Sequence, residues 1–355
     1  MALPALIKTY EFDLNNAIAG DSTQVGGIID GTNDRKSLLL GIKNALIDGA
    51  TFTVPWTVVG SSNASAAGLD GVDRWNTIAD LAWVLGTDSS PASAAHSWIV
   101  LAHAALGVEL LLACQNTSSG DGASLCAYLS VTGFTGGSAT ARPTASDEAM
   151  LRDGSSTTSG SWSGSALGSA RNWKWHVMAS DDGEVWNVLI YLSNILMGFW
   201  RFEVPTNPPG NWLSPVVAMI LGANLESVHA DDDAFTGTSG GSFVLGMESD
   251  RRQVDCGGVI ALSWGWNGGV GYQTLNSLPA TGAPLLWPIW WFAESDAMRG
   301  RLGQATDLWH VQSTVGGSVG DTYPSNAATP QFLVLSGTLG GFIVPWDGST
   351  APETA

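Results

Sequence analysis

The chain has 355 residues, of which 45% are apolar and only 13% charged, and it carries 44 Gly and 17 Trp. Such length and apolar content suit a sizeable folded core and exclude a disordered chain. A formal net charge of −18, from 32 acidic against 14 basic residues, excludes the clustered Lys/Arg footprint that a nucleic-acid backbone or an anionic membrane surface requires.

Low charge with abundant Gly, Ser, Thr and Trp is a composition of strands joined by turns. Cys114, Cys126 and Cys256 fit no metal-ligand spacing. An odd count speaks against a disulfide framework, so buried free thiols are expected, although Cys114 and Cys126 would be able to pair on adjacent strands. The opening "MALPALIKTYEFDL" has one Lys, no long apolar run and no small-residue cleavage site, so folding in a cytoplasm is expected. No apolar stretch reaches the ~18 residues of a membrane-spanning helix.

In chain order, "LIKTYEFDLNNAI" (6–18) reads as a strand. In "GTNDRKSLLLGIKNALIDGA", Asn33 or Asp34 caps a helix through Leu38, Leu39, Ile42, Leu46 and Ile47, with Gly49 as its stop. "GVDRWNTIADLAWVLG" is a second helix candidate, its Trp and Val content allowing a strand equally. From Ala95 onward, short apolar runs alternate with Gly, Asn and Asp turns, as in an antiparallel sandwich or barrel. "SDDGEV" predicts a hairpin with a type I′ turn at Asp182–Gly183, and "SSGDGAS" a second hairpin tip joining the Cys114 and Cys126 segments.

The stretches Thr132–Ala170 and His229–Ser242 are polar and nearly free of aliphatics. Any order in them needs external support, and neighbouring subunits are its expected source. The expected fold is therefore mainly β, an antiparallel sandwich-like or barrel-like body with long Gly/Ser-rich loops. Residues 1–60 form an N-terminal strand–helix arm and 61–355 the β-rich domain, any break between packed sub-domains falling near 205–240.

The stretch "LLWPIWWF" (Leu285–Phe292) is apolar on both strand faces. Pro288 lacks an N–H, which marks an edge strand or a bulge. An edge strand of that kind is sticky unless another layer or chain covers it. Burial between layers or subunits is the preferred use for these indoles, ahead of a ligand platform.

Catalytic motifs such as HExxH, a P-loop or GxSxG do not occur. Most of the five His sit in apolar runs, where a satisfied core imidazole is expected. Glu294 and Asp296 follow the Trp-rich strand and are the paired carboxylates best placed for carbohydrate binding or cleavage. Asp231, Asp232 and Asp233 form an acidic run that reads as a solvated loop, with a hard cation as the weaker use. "MRGRLGQATDLW" places Arg299, Arg301 and Asp307 between Trp strands, and "GVDRW" places Asp70, Asp73 and Arg74 beside Trp75. With few cations among many acids, each Arg is expected to have a specific acidic partner.

An ordered series of segments carries a resemblance. It runs "DRKSLLLGIKNAL", "PWTVVGSSN", "AAGLDGVDRW", "AAHSWIVL", "FTGGSATARPTASDE", "WHVMASDDGEVWNVLIY", "GFWRFEVPTNPP", "GRLGQATDLWHV" and "GDTYPSNAATPQFLVLSGTLGGFIVPWDGS". Through these, over most of its length, the chain resembles virion structural proteins of tailed bacteriophages. The resemblance implies a non-enzymatic, β-rich particle component without cofactors or catalytic residues. The expected partners are copies of itself and other virion proteins, with tail or baseplate favoured slightly over head decoration. The expected anchors are Trp287, Trp290, Trp291, Trp309 and Trp346, with Arg299 and Arg301. A glycan-binding receptor protein is the alternative.

Overall fold

The computed structural model describes residues 8–13, 33–63, 65–77, 80–81, 97–117, 122–139, 141–146, 149–152, 173–192, 195–204, 216–221, 242–248, 251–256, 286–294, 298–311, 322–323, 331–334, 341–346 and 351–352. These residues form a mainly β protein with largely antiparallel sheets.

Strand β1 (Lys8–Asp13) is followed by helix α1 (Asn33–Leu46). Strands β2 (Thr57–Ser62), β3 (Ala67–Gly68), β4 (Ser97–His103), β5 (Val108–Thr117), β6 (Gly122–Ser130) and β7 (Ala149–Arg152) make a six-stranded sheet in the order β3-β2-β4-β5-β6-β7. A meander follows: β8 (Trp173–Ala179), β9 (Val185–Leu192), β10 (Ile195–Glu203), β11 (Val216–Leu221), β12 (Ser242–Glu248) and β13 (Arg251–Cys256). Strands β14 (Leu286–Glu294), β15 (Met298–Val311), β16 (Thr322–Tyr323), β17 (Gln331–Val334) and β18 (Gly341–Trp346) form a five-stranded sheet ordered β14-β15-β18-β17-β16. Last, β19 (Ala351–Pro352) pairs in parallel with β1, and β1 pairs antiparallel with β8. Together they complete an eight-stranded sheet with the meander.

Helix α1 forms where its apolar spacing predicts. Leu39, Leu40, Ile42, Ala45 and Leu46 are all buried, and the helix packs against β6 and β8. Its stop differs in mechanism from the expected glycine cap. Gly49 stays out of the left-handed region. Asp48 ends the helix instead, its carboxylate accepting from Ala50 N at 2.9 Å and Thr51 Oγ1 at 2.6 Å.

The core lies between two sheets. Cross-strand pairing stacks Ile99 on Leu112, Leu101 on Leu110, and Leu110 on Leu129 along one face of the six-stranded sheet. Val177, Trp186, Val188, Trp200 and Phe202 join the same cluster from the eight-stranded sheet, and α1 closes it. Period-two alternation decides this: residues one step along each strand face the other way. The register also sets Cys114 opposite Leu125 and Cys126 opposite Ala113, so the two cysteines are not cross-strand partners.

That other face is apolar as well. Trp98, Val100, Leu111, Ala113 and Tyr128 form a second cluster, completed by Phe134 from the polar segment after β6. The support for residues 133–146 comes from within the chain. Thr135 bridges Thr144 and Ser138 bridges Ala141. Trp98 Nε1 donates to Ser138 O at 2.8 Å, Glu109 Oε2 accepts from Phe134 N at 2.7 Å, and the Arg142 guanidinium sits 4.0 Å above the Tyr128 ring. Residues 140, 147–148 and 153–170 of Thr132–Ala170, and all of residues 229–241, lie outside the described residues.

Two local expectations are corrected. Residues Gly71–Thr77 are neither helix nor strand, and 78–79 and 82–86 of the same segment lie outside the described residues. Their amides are taken by side chains instead: Val72 N donates to Asp70 Oδ1, Trp75 N to Asp73 Oδ1 and Arg74 N to Ser61 Oγ. Such local bonds compete with a helix and win here. The β8–β9 hairpin is present, but its turn is not type I′, because Gly183 takes a positive φ of 74° and Asp182 does not. Gly183 N donates to Ser180 O at 3.0 Å, and Asp182 instead accepts from Ser180 Oγ and Glu184 N.

If residues 133–146 are a packed cover, Phe134→Ala will cost about 3–5 kcal/mol, as for any aromatic core truncation. Urea unfolding measures it, and a loss below ~1 kcal/mol would mean the segment is merely draped over the sheet.

Candidate functional site

Strand β14 is the edge of the five-stranded sheet, and Pro288 sits where its register shifts. Both outcomes follow from the missing N–H. The β14–β15 hairpin sets Trp287 opposite His310, Trp291 opposite Gly303, Trp290 opposite Gln304, Pro288 opposite Trp309, and Arg301 opposite Phe292. Arg299 falls at the irregularity near the hairpin end, where Glu294 pairs with Met298. Trp309 also pairs with Ile343 on β18, while Trp346, farther along β18, pairs with Gln331 on β17. Asp296 and Asp231, Asp232 and Asp233 lie outside the described residues.

Between the Trp290–Gln304 and Pro288–Trp309 pairs, β15 leaves the ladder. Ala305, Thr306, Asp307 and Leu308 stand opposite the single residue Ile289. The bulge reaches the eight-stranded sheet on the face away from the main core, where Arg201 and Asn187 are cross-strand neighbours. Glu203 Oε1 accepts from Thr306 N at 2.5 Å, and Arg201 Nη2 donates to Thr306 O. Arg201 Nε donates to Glu203 Oε2 at 3.0 Å and Nη1 to Asn187 Oδ1 at 2.8 Å. Arg201 and Asn187 are 0% exposed and Glu203 1%. The pair therefore supplies the hydrogen bonds that a bulged backbone loses inside a protein.

Asp307 is the unusual member. It is buried, has a left-handed φ of 57°, and its Oδ1 has no hydrogen-bond partner among the described residues. Its charged neighbours are Arg201, Glu203 and Asp182. Burial raises its pKa from 3.8 to about 6, with Arg201 opposing the rise and Glu203 and Asp182 reinforcing it.

His103 is a satisfied core imidazole. Its Nδ1 accepts from Leu106 N at 3.2 Å, and Nε2 lies 2.9 Å from Val54 O and 3.0 Å from Trp186 Nε1. Trp56 and Trp186 flank the ring, at centroid distances of 5.0 and 5.4 Å. With Nδ1 accepting, a neutral ring carries its hydrogen on Nε2 and donates it to Val54 O, whereas an imidazolium would add an N–H aimed at the Leu106 amide. Burial accordingly lowers its pKa, with the Val54 carbonyl opposing.

The "GVDRW" segment ties α1 to the six-stranded sheet. Buried Lys43 donates to Asp73 Oδ2 and Trp75 O, each at 2.7 Å, and Trp75 Nε1 donates to Ser62 O at 2.9 Å. Arg74 grips Asp70 through both carboxylate oxygens, at 2.9 and 2.6 Å. The Arg74 hydrogen bond brings the Asp70 pKa down to about 2. Arg74 and Arg201 thus have the specific acidic partners expected of scarce cations.

The chain matches no family model, and no curated protein matches it. Among the described residues, no group of three or more His, Cys, Asp or Glu is arranged to hold a metal ion, and no helix is long and apolar enough to cross a membrane. Sequence reasoning missed Arg201, Glu203 and Asn187. In "GFWRFEV" the alternation puts Arg and Glu on the face opposite Trp200 and Phe202, which ordinarily means solvent. The one available signal was an Arg-x-Glu inside an apolar strand of a charge-poor chain.

Arg201→Met should cost about 3–5 kcal/mol by stranding the Glu203 carboxylate, and adding Glu203→Leu should recover only part of it, because the Thr306 amide then loses its acceptor. Denaturant midpoints of the single and double variants decide, and full recovery in the double variant would refute the clamp. For His103 the depressed folded pKa makes its contribution complete above about pH 6.5 and lost as pH falls below it. Melting temperatures across that range should show an acid-side loss that His103→Gln reduces.

Proposed function

We propose that this chain is a non-enzymatic structural subunit of a tailed-phage virion, assembling with its own copies and with other virion proteins through Trp-rich β surfaces. Tail or baseplate is favoured slightly over capsid decoration. The observation that carries the reading is the placement of β14. A strand containing Trp287, Trp290 and Trp291 lies at the margin of its sheet, hydrogen-bonded to β15 alone among the described strands. An edge offers backbone donors and acceptors to another chain, and apolar residues on both strand faces make its pairing favourable in water. The ordered resemblance to virion proteins and the β-rich framework support the same reading. So does the use of buried ionisable groups: Lys43, Arg201 and Glu203 are engaged in holding backbone and elements together.

Light scattering of the purified chain should give an oligomeric mass at micromolar concentration. Trp287→Glu with Trp291→Glu should reduce that mass while leaving the far-ultraviolet dichroism of the sheets unchanged. A compact monomer at all concentrations, indifferent to both substitutions, would end the proposal.

A further inference from the structure

The bulge that joins the five-stranded to the eight-stranded sheet holds more negative charge than its cation can balance. Arg201 is fully committed: Nε to Glu203, Nη1 to Asn187 and Nη2 to the Thr306 carbonyl. Its charge is matched by Glu203 before Asp307 is counted. The groups facing Asp307 are Arg201 and Glu203 from β10 and Asp182 from the β8–β9 turn. Ionised Asp307 is therefore a second buried carboxylate near one guanidinium, with the Asp182 charge adding to its cost. Arg299, Arg301 and His310 lie along its own strand. Its left-handed φ of 57° fixes where the carboxyl sits and is the same in both protonation states. Asp307 is 6% exposed, and its Oδ1 is buried without a hydrogen-bond partner among the described residues. Among the described groups, Arg201 alone favours the charged form.

We propose that the Ala305–Leu308 bulge is a proton-operated latch: with a proton on Asp307 it holds the five-stranded sheet against the eight-stranded one, and without that proton the hold slackens. The raised pKa of Asp307, about 6, sets the window. Because the folded value exceeds the unfolded one, the stabilising contribution is complete below about pH 3.8 and is lost as pH rises through about 6. This sense is opposite to that of His103, so the two groups are separable by experiment. The latch is independent of the virion reading, being a property of a single chain.

Hydrogen exchange of the full chain at about pH 5 and about pH 7.5, corrected for intrinsic rates, tests it. Peptides spanning Met298–Val311 should lose protection at the higher pH by roughly tenfold, while peptides from β4 and β5 do not lose theirs. Asp307→Asn, a neutral isostere, should abolish the difference. Asp182→Asn, on the exposed turn, should keep the difference and move its midpoint to lower pH. Equal protection of β15 at both pH values in the wild type overturns the latch, as does an unchanged difference in Asp307→Asn. Should that variant fail to fold, the wild-type titration and the Asp182→Asn midpoint still decide, an unmoved midpoint counting against it.

Discussion

A strand that leaves its ladder inside a protein must have its peptide groups met by something else. Between the five- and eight-stranded sheets, the Arg201–Glu203 pair meets them. Thr306 donates its N–H to Glu203, and its carbonyl accepts from Arg201. A buried ion pair adds little stability by itself, because desolvation offsets the attraction. Its value here is geometric. The guanidinium and carboxylate fix where β15 crosses, and hence the position of β14 beside it.

The same economy governs the rest of the framework. The six-stranded sheet is apolar on both faces, so each face needs a cover. The eight-stranded sheet and α1 cover one, and the segment 133–146 covers the other. A Gly- and Ser-rich segment manages this with few apolar residues of its own. Phe134 fills the surface, Arg142 lies on Tyr128, and Trp98 hydrogen-bonds back to Ser138. The large indoles on the sheet supply the apolar area, and the loop supplies shape and hydrogen bonds.

These divisions explain what could be read from residues alone. The helix at Asn33–Leu46, the β5–β6 pairing and the marginal position of β14 rest on local rules: apolar period, turn residues, a missing amide hydrogen. Each acts within a few residues, so sequence displays it. The "GVDRW" segment is not helical because Asp70, Asp73 and Ser61 capture its amides, and Ser61 lies on β2, outside the segment. The burial of Arg201 and Glu203 depends on a partner more than a hundred residues away in sequence. No periodicity on β10 reports that another sheet will cover that face. Asp307 was noticed as a charge among tryptophans, but its backbone twist and neighbours are products of the bulge.

The parallel contact of β19 with β1 bears on the order in which the molecule is made. Tyr10 pairs with Ala351, and Glu11 with Pro352. Nearly the whole chain separates these rungs, and β1 also has to wait for β8. Contacts so remote carry a large loop-closure cost and are slow to form. During synthesis the first strand therefore emerges long before either of its lateral neighbours exists. The hairpins between β4 and β6 are complete much sooner, which makes them the natural seed and the joining of the two ends the closing event.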